Sequence, residues 1–222
     1  MDFFQEEEEE EHPEQKGCCA FLTIKYYQPY FNVSEDDVID RVKASFLPFR
    51  KDFHERVAGN PDLWGPLWIS ATIIFLITAV ANINQMNLEG QTTYSVAYVP
   101  QSAALLYCIS FGTPVILTLV MKILGSDIRF FHTLCLYGYS MSILMPITIL
   151  CVIRNSILQW CLVGYGMISS SSFLIMGMRK ILGDLEQSKR YIIIGIVLAM
   201  QFSLYLLYKL VFFKVIEKNS TE

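Results

Sequence analysis

The stretch LWGPLWISATIIFLITAVANINQMNL, residues 63–88, carries no ionisable side chain. A helix needs about 20 apolar residues to cross a bilayer, so this stretch is long enough to span one. Four further stretches lack Asp, Glu, Lys and Arg: Gly90–Met121, Phe130–Ile153, Asn155–Met178 and Tyr191–Tyr208. Small clusters of charge separate them. The last has 18 residues; it reaches spanning length if Lys209 snorkels and Leu210–Phe213 complete it. The pattern predicts an all-α integral membrane protein with five transmembrane helices.

Composition agrees. The chain has 222 residues, 53% of them hydrophobic and only 17% charged, against about 25% charged in a soluble domain. The net charge of −4 is carried by the acidic run Glu6–Glu14, without which the chain is slightly basic. No basic footprint for nucleic acid is present. The acidic N-terminus is unlike a signal peptide, so the first span is expected to direct insertion. Cys108, Cys135, Cys151 and Cys161 fall in or beside the apolar stretches, where cysteine behaves as a small hydrophobe. The adjacent Cys18 and Cys19 read as free thiols or as acylation sites.

Three regions follow. Residues 1–60 form an N-terminal region, 61–213 the five-span domain and 214–222 a short tail. Residues 1–17 are acidic and low in complexity, which favours disorder. Residues 34–47 read as an amphipathic helix. Ser34 and Asp37 make a capping-box variant, acids fill the first turn, and Pro48 ends it. Val38, Ile39, Val42 and Phe46 form its apolar stripe, a candidate docking face for membrane, partner or the protein's own spans. Arg41 and Lys43 lie off that stripe.

Loop charge sets orientation. Arg41, Lys43, Arg50, Lys51 and Arg56 precede the first span; the loop at 82–98 holds no Lys or Arg; Lys122, Arg129, Arg179, Lys180, Lys189 and Arg190 mark the next cytosolic turns. The N-terminus is therefore expected in the cytosol and the C-terminus in the lumen. The sequon at Asn32 should carry no glycan. Pro114 and Pro146 predict kinks in the second and third spans. Gly166 and Ser170 suit close helix packing, and Ser169–Ser172 reads as a source of interhelical hydrogen bonds.

No ionisable residue lies deep in a span, which disfavours proton-coupled transport and intramembrane metalloproteolysis. No HExxH, GxSxG or phosphate-binding glycine loop is present, and no catalytic, cofactor or metal residues are assigned. A lipid scramblase or small-solute transporter, and a fixed subunit of a larger membrane complex, remain alternatives.

Particular residues carry a resemblance. Asn60-Pro61-Asp62-Leu63-Trp64-Gly65-Pro66-Leu67-Trp68-Ile69 resembles the signature that opens the membrane domain of the Yip family, the Ypt/Rab-interacting proteins. Tyr137-Gly138-Tyr139-Ser140, followed by Pro146, resembles the family's second signature. Val38–Pro48 and Tyr26–Val33 are similar to segments upstream of that domain. Trp64 and Leu67 depart from the family's usual Tyr and Phe, and Asn32 from its usual Asp. The resemblance implies a non-enzymatic, cofactor-free Golgi or endomembrane adaptor with five spans. Its partners would be membrane lipids, prenylated Rab/Ypt GTPases and Yip paralogues. Asp62, Leu63, Trp64, Gly65, Pro66, Tyr137, Gly138 and Tyr139 become the candidate interaction or structural motif.

Overall fold

A computed structural model describes residues 27–46, 61–89, 96–126, 128–153 and 155–213. The acidic run, Cys18 and Cys19, Pro48 and the tail beyond residue 213 lie outside the described residues. Five helices are long and apolar enough to cross a membrane: Gly65–Asn84, Tyr98–Ile123, Phe130–Leu150, Ser156–Gly177 and Gln187–Phe212.

A 3-10 turn, Gln28–Phe31, precedes helix α1, Glu35–Phe46. The cap forms as the sequence predicts: the Asp37 N–H donates to Ser34 Oγ at 3.3 Å, and the Ser34 hydroxyl donates to Asp37 Oδ2 at 2.7 Å. α1 packs on the protein's own spans, against the third and fourth. Val38, Val42 and Phe46 are half-buried there, while Ile39 is 48% exposed. The face turned inward is centred on Arg41, Ala44 and Ser45. Arg41 thus departs from the sequence reading, because an ion pair and not hydrophobicity draws it in.

The first span opens with a π-helical turn, Gly65–Ile69, and continues as α2, Ser70–Glu89. The second is α3, Tyr98–Ile123, helical straight across Pro114. It ends in a left-handed glycine, Gly125 at φ 86°. The Ser126 N–H there reaches back to the Met121 carbonyl at 2.9 Å, a Schellman-type stop that only a residue without Cβ adopts freely. The third span is interrupted. α4, Phe130–Ser140, passes through a 3-10 turn, Met141–Ile143, into α5, Leu144–Leu150. Pro146 explains the break, since its ring excludes the carbonyl four residues back, that of Ser142 inside the turn. Of the two expected kinks, the helix is interrupted only at this one.

Asn155 caps α6, Ser156–Gly177, accepting the N–H groups of Ile157 and Leu158. A short α7, Arg179–Gly183, leads to α8, Gln187–Tyr208, which runs on into a π-helical turn, Lys209–Phe213. The Arg190 guanidinium donates to the carbonyls of Leu182, Gly183 and Leu185, tying this loop to the fifth span.

The third span is the axle of the bundle. Of its most apolar stretch 78% is buried, against 33% for the fifth, and the first, second and fourth spans all pack on it. Lipid is as apolar as leucine, so close packing and hydrogen bonds must hold spans together. Exposed Phe75, Ile123 and Ile157 face the side that lipid would cover. Gly166 meets the Tyr205 ring and Ile147 so closely that a Cβ would lie 2.8 and 2.4 Å from them. Thr148 Oγ1 and the Tyr208 hydroxyl lie 2.6 Å apart, and the Ser70 hydroxyl donates to Ser110 Oγ at 3.1 Å.

Two expectations are corrected here. Lys209 does not snorkel outward. It is buried, and Nζ donates to Gln159 Oε1 at 2.8 Å. The Gln159 amide is fixed in turn by the Cys151 and Ile153 carbonyls, so these bonds take the place of hydration. The serine run contributes less than expected: Ser172 bonds the Ile168 carbonyl of its own helix, and of the rest Ser170 is the one set beside a hydroxyl of another span, that of Tyr205, without a hydrogen bond of good geometry.

Candidate interaction site at the N-terminal end of the bundle

Asp62 stands immediately before the first span and is buried to 1% exposure. A buried carboxylate needs hydrogen bonds and a compensating charge. Asp62 has both. Its Oδ1 accepts the Gly65 N–H at 3.1 Å, a cap on the N-terminus of the first span. The Tyr139 hydroxyl donates to the carboxylate, 3.2 Å from each oxygen. Cys135 Sγ lies 3.6 Å from Oδ2. Arg41 of α1 completes the set with a buried salt bridge to Oδ2. Burial works against the charge on Arg41, but the Asp62 carboxylate together with Cys135 and Tyr139 holds the guanidinium pKa above its ordinary value.

The two signatures are halves of one contact. A Cβ on Gly65 would sit 2.8 Å from the Tyr139 ring, and one on Gly138 would sit 2.5 Å from the backbone nitrogen of Pro66. Both glycines are there because the first and third spans approach until backbone meets ring and backbone meets backbone. Leu63 is buried and its N–H donates to the Tyr30 carbonyl at 3.1 Å. Trp64 stacks on Trp68 with centroids 5.5 Å apart, and its indole N–H donates to the Phe31 carbonyl at 3.3 Å. Tyr30 stacks on Phe131 at 4.2 Å. Tyr137, two residues from Tyr139, is buried on another side of α4 and reaches toward Thr113 of the second span.

All four motif segments therefore converge. Residues 27–31, α1, residues 62–68 and residues 135–140 meet at one end of the bundle. Of the candidate docking face, Val38, Val42 and Phe46 join this assembly and Ile39 stays outside it. Sequence reasoning missed Arg41 and Cys135. The signal that points to Arg41 is chemical: an acid at the mouth of a span calls for a cation from a neighbouring segment. Among the described residues, no three His, Cys, Asp or Glu side chains come together as a metal would require. The enclosed, ion-paired carboxylate is built to hold segments together.

These features define a class: polytopic helical membrane proteins in which an N-terminal helix is locked to a five-span bundle. Within that class the chain belongs to the Yip1 domain family, whose match runs over residues 44–208. It is 32% identical over 206 residues to "Protein YIPF1 homolog" of Dictyostelium discoideum, covering 91% of this chain and 58% of that protein. It is 30% identical over 183 residues to "Protein YIP5" of Saccharomyces cerevisiae, covering 68% and 57%. It is 26% identical over 155 residues to "Protein YIP5" of Schizosaccharomyces pombe, covering 65% and 62%. The chain thus spans about 60% of the length of these relatives. No solved structure matches it.

Proposed function

We propose that this protein is an adaptor of vesicle traffic in the ER and Golgi, associating with prenylated Rab/Ypt GTPases and with other Yip-family proteins. Its N-terminus faces the cytosol and its C-terminus the lumen, as loop charge favours. Family membership supports the general role. The observation that carries the reading is the lock at Asp62. It joins the segment outside the spans directly to the first and third spans, so a protein held by α1 is held against the bilayer surface. A prenylated GTPase fits that position, because its lipid chains favour membrane by about 0.8 kcal/mol per CH₂. The part of α1 left open for a partner includes Ile39 and the acidic first turn.

The test is a native pull-down of the tagged full chain from mild detergent, with mass spectrometry of what is retained. Rab GTPases and Yip-family proteins are expected, with Rab recovery reduced by Ile39→Asp and Yip-family recovery unchanged. A single stoichiometric assembly without GTPases would replace this reading with that of a fixed subunit. Glycan on Asn32 would reverse the orientation.

A further inference from the structure

Gln201 lies about midway along the fifth span and is 0% exposed, yet neither its amide nitrogen nor its amide oxygen has a hydrogen-bond partner among the described residues. Its surroundings share the defect. α6 and α8 run antiparallel, with Gly166 against Tyr205 and Gln159 against Lys209. That register sets Gln201, one turn before Tyr205, level with Ser169 and Ser170. The buried hydroxyls of Ser169, Ser170, Ser171, Tyr205 and Tyr137 make no hydrogen bond of good geometry among the described residues. Tyr205 lies near Ser170 and Tyr137, and Tyr137 near Thr113. These groups come from the third, fourth and fifth spans.

Orphaned donors and acceptors inside a membrane bundle are unfavourable, since no lipid can satisfy them. Two features define what would satisfy them. The groups are amides and hydroxyls with no charge among them, so the occupant is neutral and both donates and accepts. They are also closed off from the outside, so the occupant is small. We infer that this seam between α6 and α8 is a site for buried water, held by Gln201, Ser170, Tyr205 and Tyr137. A water needs about 30 Å³ and two to four polar partners. The polar partners are the Gln201 amide and the hydroxyls around it. The site coincides with the packing surface of the least buried span. The fifth helix is thus joined to the fourth at mid-depth through exchangeable hydrogen bonds in place of fixed direct ones.

In-situ radiolytic hydroxyl-radical labelling of the full chain in nanodiscs tests this, because radicals born from a bound water oxidise the side chain beside it. Tyr208 is the internal control, equally buried but bonded directly to Thr148. Oxidation of Tyr205 should exceed that of Tyr208 several-fold, and Gln201→Leu should bring it down to the Tyr208 level. Equal labelling of the two tyrosines in the parent protein would overturn the site, whatever the variant does. Labelling of Tyr205 that persists unchanged in folded Gln201→Leu would overturn the role of Gln201.

Discussion

The Asp62 cluster and the Gln201 seam are both polar and both buried, but they are built by opposite rules. At the end of the bundle a full charge meets an arginine, a backbone N–H, a phenol and a thiol. At mid-depth the neutral Gln201 amide has no hydrogen-bond partner among the described residues. The difference follows from magnitudes. An unpaired neutral group is unfavourable by about 1–3 kcal/mol, whereas an unpaired charge in the interior is far more so. At Asp62 the charge is tolerable because a segment outside the spans, α1, brings the counter-charge. At the Gln201 seam the groups are neutral.

Breaking the charged cluster should therefore outweigh any single change in the neutral seam. Asp62→Ala removes the carboxylate that compensates the buried Arg41, and should lower stability by about 3–5 kcal/mol, read by denaturant titration in mixed micelles. The double variant Asp62→Leu, Arg41→Met should recover most of that loss. If the single variant were no worse than Gln201→Leu, the contrast between the two regions would be lost. Gly138→Ala drives a methyl into the Pro66 backbone and should lower stability by about 1–3 kcal/mol. Gly164→Ala meets nothing within 4 Å and should leave the midpoint of thermal unfolding nearly unchanged. Tyr139→Phe removes one donor to a charged acceptor, and a loss of about 1.5–3 kcal/mol is expected by the same titration. Thr148→Val removes the bond to Tyr208, a neutral pair away from any charge, and should shift stability by only about 0.6 kcal/mol.

Local features of this fold were legible in the sequence and long-range polar ones were not. The spans could be read because charge is excluded over stretches of spanning length. The Ser34 cap could be read because a hydroxyl and the N–H three residues on meet whenever the helix forms. The contact between Gly65 and Tyr139 joins residues far apart in the chain, and only the resemblance of both signatures to one family hinted that they belong together. Arg41 was misplaced because helical periodicity sorts side chains by polarity, and an ion pair reverses that sorting. Lys209 was misplaced for a related reason: Gln159 offers it an acceptor that no local pattern announces. The serine run marks a helix contact, but which of its hydroxyls meets a partner, Ser170 beside Tyr205, depends on what stands opposite and is not written in the run itself.

The Asp62 lock also has a consequence in time. The chain is made from its N-terminus, so Arg41 and Gly65 are available to Asp62 as soon as the first span is threaded. Tyr139 and Cys135 arrive only two spans later. Until then Asp62 lacks the phenol and the thiol, and α1 lacks the third span it packs on. The third span, when it docks, brings the phenol and thiol that complete the carboxylate's partners.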